Sequence, residues 1–307
     1  MEPCGMDTTR IELASAEGAR AFIIPGLGGW LTEFSVQLPG VGRVHAIHHD
    51  EEVVARYPRE MWAGMPLLFP LVSYNHLAGQ EHAYEWAGKR YPMPQHGFAR
   101  RKPWRLEYSD ASNVSISLSA DEETLAVYPW NFRYDLTFRL EATVLRWEQR
   151  IANRSDSPMP FSAGFHPYFR VPFLPGSQRS DCVVRCPEGI RFRPTGGALC
   201  FEQEPFRGQL WPVSEDVNGT LLLGDLGNRE FSLIDRTARA EVRFSWEGAP
   251  RYPYCAIWSR TTNAPFYCIE PWTSLPNSFR RGGAELIILA PGEAVTSRFE
   301  LEVRKSA

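Results

Sequence analysis

Eight consecutive residues, RYDLTFRL at positions 133–140, restrict the fold more than any other stretch of this chain. On an extended backbone Tyr134, Leu136, Phe138 and Leu140 fall on one side, and Arg133, Asp135, Thr137 and Arg139 on the other. A helix would scatter that period-two pattern around its circumference, whereas a strand with one wet face requires it. NVSISLS repeats it with Val114, Ile116 and Leu118, EVRFSW with Val242, Phe244 and Trp246, and RFELEV with Phe299, Leu301 and Val303. Between these runs, Asn153 to Pro160, Pro194 to Gly197, Gly224 to Asn228 and Pro291 to Glu293 read as turns. The best helical stretch, Asp121 to Tyr128, is short and stops before Pro129. With 25 prolines and 24 glycines spread along the length and no Ser/Gly-rich or charged linker, the expectation is an all-β chain, residues 1–307 as a single domain of large antiparallel sheets packed face to face.

Apolar residues make up 43% and aromatics 13% of the chain, so the core can be large, and a net charge of −3 gives no global field for nucleic acid or an anionic membrane. No apolar run approaches the roughly 20 residues of a spanning helix. The N-terminal MEPCGMDTTR lacks a basic segment followed by an apolar one, and Ala21 to Leu31 is broken by Pro25 and three glycines. A cytoplasmic protein is expected, with six reduced thiols. Cys182 and Cys186 have a C-x3-C spacing, but no histidine stands near them to complete a zinc site.

Three segments carry candidate chemistry. In PQHGFARR, His96 lies at a tight bend, either as a working side chain or as a solvated one. In FSAGFHPYFRV, Pro167 forces His166 toward extended geometry between aromatic walls, as a proton donor or as a core histidine bonded to a carbonyl. In YCIEPWTS, Glu270 ends an apolar run beside Trp272, where desolvation raises a carboxyl pKa unless hydrogen-bond donors compensate. The alternatives there are a general base in a carbohydrate pocket and a buried glutamate paired with an amide or an arginine.

Together HGFAR at 96–100, the run from Asn153 through GFHPYF at 164–169, and CIEPWTSLPN at 268–277 resemble the aldose 1-epimerase (galactose mutarotase-like) family, in the family's order. GMPLLFP at 64–70 and TLAVYPWNFRYDLTF at 124–138 extend the likeness over most of the chain. The resemblance implies a β-supersandwich of large antiparallel sheets with few short helices. It also implies interconversion of α and β anomers of a small-molecule sugar by ring opening and reclosure. The implied roles are Glu270 as general base, His166 as general acid on the other side of the sugar, His96 near the ring oxygen, and Trp272 against the sugar. No cofactor or metal is implied, and the chain is expected as a monomer or homodimer.

The chain departs from the family pattern in places. Where many members carry an Asn-Arg pair that contacts sugar hydroxyls, Ser73 and Tyr74 stand here, with Asn75 or His76 as substitutes. The sugar-binding aspartate is assigned to Asp225, with Asp235 second. Arg100, Arg101, Lys102 and Arg105 read either as a solvated turn or as a phosphate handle for a hexose 6-phosphate. His45, His48, His49 and Asp50 read as an exposed loop. The rival functions are a non-catalytic sugar-binding or sensing protein and a glycoside hydrolase, which needs a second carboxylate.

Overall fold

Alternating burial along Phe132–Glu141 puts Phe132, Tyr134, Leu136, Phe138 and Leu140 inside and leaves the charged side chains between them partly or wholly exposed. The computed structural model describes residues 7–213, 219–283 and 285–306. Among these, Phe132–Glu141 belongs to a nine-stranded antiparallel sheet in the order Gln209–Pro212, Cys182–Cys186, Glu230–Asp235, Ala240–Ser245, Ala294–Lys305, Val144–Asn153, Phe132–Glu141, Asn113–Ser119 and Arg105–Ser109. A second, eight-stranded sheet runs Cys200–Phe206, Gly189–Thr195, Leu221–Gly224, Tyr254–Trp258, Phe266–Trp272, Gly164–Phe165 and Leu67–Leu68, with Tyr168–Arg170 also paired to Phe266–Trp272.

The inner faces of these sheets meet through aromatic side chains. Phe165 of the second sheet packs edge-on against Phe299 at 4.7 Å and Trp147 at 5.5 Å between ring centroids, and Phe169 lies 5.8 Å from Phe244. Contacts of this kind add to the burial of their apolar area. One contiguous set of buried side chains extends from Leu13 to Val303. The polar Gln149 inside it donates its amide to the Tyr134 hydroxyl and accepts from that of Tyr252, so all three polar groups are satisfied.

The expected helix is present as Glu122–Val127, where Asp121 and Thr124 cap each other reciprocally. The His45–Asp50 stretch is not an exposed loop. Asp50 caps a helix, Glu51–Ala55, by accepting from the backbone of Glu52 and Val53; His48 is buried against Phe266, and its N–H donates to the Tyr168 carbonyl at 2.7 Å. Cys182, Cys186, Cys200, Cys255 and Cys268 are free thiols, and Cys4 lies outside the described residues. Among the described residues no helix is long and apolar enough to cross a membrane.

Candidate active site

The strand Phe266–Trp272 runs through the middle of the second sheet, and the alternation of its side chains builds the site. Tyr267 and Ile269 point into the core between the sheets. Phe266, Cys268, Glu270 and Trp272 therefore share the opposite face. The strand does not stop at Glu270 as the sequence suggested: Pro271 pairs with Cys255 and Trp272 with Tyr254, so the carboxylate is held inside a regular strand.

His166 reaches the same face by the same rule. Phe165 points into the core, so its successor points away from it. The pairs Gly164↔Trp272 and Tyr168↔Cys268 bracket it, which sets His166 directly across from Glu270. Cross-strand neighbours are the closest side chains a sheet offers, and here His166 Nε2 lies 3.3 Å from Glu270 Oε1. A bulkier residue at Gly164 would lose this geometry, since a Cβ there would come within 2.8 Å of the Trp272 ring. The two side chains therefore touch, rather than facing each other across a space sized for a pyranose.

The surrounding side chains fix the pair. The Trp272 indole N–H donates to Glu270 Oε2 at 3.2 Å, and Tyr168 stacks on the His166 ring at 4.6 Å with 7° between planes. Glu270 is 2% and His166 6% exposed. Burial raises the Glu270 carboxyl well above the usual carboxylate range, opposed by the Trp272 N–H and the Arg100 charge. Burial, with Arg100 adding to it, pushes the His166 imidazole well below its ordinary range. At this contact burial therefore favours a neutral carboxyl and a neutral imidazole over the ion pair.

His96 enters from a sharp bend. It has φ 64° and Gly97 φ 70°, both left-handed, and the His96 N–H donates to the Ser73 carbonyl at 2.6 Å. The Ser73 N–H donates back to His96 Nδ1 at 3.0 Å, which assigns the ring proton to Nε2 and leaves that N–H free on the cavity side. Burial first, then Arg100 and His166, keep the ring neutral. A Cβ at Gly97 would lie 2.2 Å from the Phe69 carbonyl oxygen. Gly97→Ala is expected to cost more than about 2 kcal/mol, measurable as a fall of several degrees in melting temperature by calorimetry.

Glu270, His166, His96, Tyr168 and Trp272 form the floor of a cavity of about 330 Å³, near the lower end of the size of small-molecule sites. Trp62 and Trp258, stacked at 5.7 Å, and the half-buried Tyr74 form its walls. Arg100 also lines it and is not the solvated turn residue the sequence allowed. It is 9% exposed, donates through Nη2 to the Gln95 carbonyl at 2.8 Å, and has a buried Nε without a partner. Nothing in the sequence marked which arginine of the cluster would be buried.

Asn75 and His76 do not replace the missing family arginine. Asn75 is buried and accepts from the Phe279 N–H, and His76 stacks on Tyr74 and bonds through its N–H to Asn277. Asp225 lies apart from the cavity. It is an exposed turn residue with φ 49°, beyond one end of Leu221–Gly224, while Thr220 at the other end lines the cavity. Five steps along the extended backbone separate the two by roughly 16 Å. Asp235 is buried and accepts from the Phe173 and Ala238 N–H groups, so it holds a turn. Glu270 is the only carboxylate among the lining residues. The one grouping of potential metal ligands among the described residues is His166, Cys268 and Glu270, with ligand atoms within 4.8 Å of one another. Burial raises the Cys268 thiol well above its usual range.

Comparison with known proteins bears on the family and the fold. The sequence profile of the family described as Aldose 1-epimerase matches residues 10–302. The plasmid protein LacX of Lactococcus lactis subsp. lactis is 25% identical over 268 residues, covering 81% of this chain and 85% of LacX. The crystal structure of the Slr1438 protein from Synechocystis sp. PCC 6803 superposes with a TM-score of 0.81 at 25% identity over 100% of both chains. A galactose mutarotase related enzyme from Lactobacillus acidophilus shares the fold, with a TM-score of 0.77 at 20% identity, covering 97% of this chain and 98% of that one.

Proposed function

Because the chain belongs to the aldose 1-epimerase family, we propose that it interconverts the α and β anomers of an aldose, with Glu270 and His166 carrying the proton transfers. The observation that carries this reading is the 3.3 Å contact between the two groups on the floor of a sugar-sized cavity. Ring opening removes the proton from the anomeric hydroxyl and adds one to the ring oxygen as the C1–O5 bond breaks. The carboxylate takes the first proton and the imidazolium gives the second, with the His96 Nε2–H donating a hydrogen bond to the ring oxygen. Before the step the pair is carboxylate and imidazolium; after it, carboxylic acid and imidazole. The second tautomer is the one that burial favours, so the site is matched to the opened aldehyde. Rotation about C1–C2 and the reverse transfers close the ring on the other face.

A glycoside hydrolase needs a second carboxylate across the bond, and none lines this cavity. A non-catalytic sugar binder would use the same walls. Polarimetry on freshly dissolved α-glucose and α-galactose separates the readings: loss of optical rotation faster than the spontaneous rate supports a mutarotase, binding without acceleration supports the binder, and release of free sugar from a glycoside supports the hydrolase.

Arg100 sets the pH range. Its charge lowers both the Glu270 and the His166 pKa, so removing it raises both. The pair works with one proton, giving a bell-shaped dependence of kcat/KM on pH. Both limbs of that bell are expected to move to higher pH in Arg100→Met, read from rates between about pH 4 and 9.

A further inference from the structure

Several basic side chains near the cavity that do not line it are paired: Lys102 with Asp121 and Glu123, Arg105 with Glu107, and Arg56 with Glu52 and Glu60, while Arg260 lies over the Trp62 ring at 5.2 Å. Arg59, Arg100 and Arg101 line the cavity, and among the described residues none of them has a carboxylate within ion-pair distance. Arg59 follows the paired Arg56 by three positions and Arg101 precedes the paired Lys102, so local sequence does not account for the difference. Arg100 sits deep, within the field of the acid–base pair. Arg59 and Arg101 are exposed at the mouth.

Three guanidinium groups face a lining with one carboxylate, and that carboxylate is engaged with His166 and Trp272. A neutral sugar gives the mouth arginines only hydroxyl acceptors. An anionic oxygen gives them charge-assisted, bidentate bonds, for which the planar guanidinium is shaped. We infer that the aldose carries an anionic group on its exocyclic carbon, a phosphate monoester or a carboxylate, and that Arg59 and Arg101 bind it while the ring lies over Glu270 and His166. This rests on the mutarotase reading for the placement of the ring, but not for the charge of the ligand.

The test measures binding by quenching of tryptophan fluorescence, since Trp62, Trp258 and Trp272 line the cavity, with anomer exchange followed in parallel. The probes are glucose and galactose, their 6-phosphates, their uronates, and inorganic phosphate, with the full-length protein. The anionic form of at least one sugar is expected to bind roughly 10- to 100-fold tighter than its neutral parent. That advantage is expected to shrink as salt rises from about 0.02 to 0.5 M, and to be lost in Arg59→Gln/Arg101→Gln. A 6-phosphate bound more tightly than the uronate, with inorganic phosphate competing, identifies a phosphate site; the reverse order identifies a carboxylate site. Equal affinity for neutral and anionic forms, or an advantage that survives in the double variant, overturns the inference. Accelerated exchange of neutral sugars without anionic preference leaves the mutarotase reading standing and ends this one. Anionic preference without exchange of any sugar does the opposite.

Discussion

Glu270→Gln is expected to lower acceleration of anomer exchange by roughly 10²- to 10⁴-fold, while the protein stays folded, keeps its sugar affinity and melts at a higher temperature. The amide has the size of the carboxyl and its oxygen still accepts from the Trp272 N–H, so the cavity keeps its shape. It cannot accept the anomeric proton. The gain in stability follows from linkage. Glu270 has a raised pKa in the folded state, so its stabilising contribution is complete below the ordinary carboxyl value of 4.5 and is lost as pH rises through the folded value. At neutral pH the wild type carries the cost of a buried ionisable group, and the amide does not. Each kcal/mol recovered corresponds to about 2 °C in a chain of this size. The difference should narrow toward pH 4, where the carboxyl is protonated in both folded and unfolded states; calorimetry at several pH values tests this.

His166→Gln gives the second large effect. Its amide N–H can still reach toward Glu270, but it cannot pass a proton to the ring oxygen, so kcat should fall by about 10²- to 10⁴-fold with KM little changed. The double variant Glu270→Gln/His166→Gln is expected to lose little more than either single variant, because ring opening needs both proton transfers and the two groups act as a unit. Losses that multiply would separate their roles. Steady-state rates of α-to-β conversion, read by a coupled dehydrogenase that oxidises only the β-anomer, supply the measurement.

The strands were legible because their burial alternates in the sequence itself. Phe132–Glu141 and Asn113–Ser119 each put one apolar residue at every second position, and the structure buries those residues. The three candidate segments were legible, and the sheet explains why two of them meet: antiparallel register brings His166 opposite Glu270, although more than a hundred residues separate them. Three features resisted reading, each for a physical reason. Pro271 looked like a strand end because it lacks an N–H, yet it pairs inside the sheet. Asp225 carried a plausible residue type at a turn, but strand direction puts it at the far end from the cavity. Arg100 and Arg101 are adjacent in sequence and differ in exposure, because Arg100 is enclosed at the turn that carries His96 while Arg101 emerges at the surface. The helix Glu51–Ala55 did leave a signal, Asp50 followed by two glutamates, which the neighbouring histidines obscured.

Ring opening of an aldose at the Glu270–His166 contact is the proposed chemistry. Exchange spectroscopy on an aldose labelled with ¹³C at C1 measures it directly, since the α and β resonances interchange only by ring opening. With the wild-type protein, cross peaks between the two should grow well above the spontaneous rate, and with Glu270→Gln they should return to it. Unchanged exchange across neutral, phosphorylated and uronic aldoses, or equal acceleration by Glu270→Gln, would contradict the account.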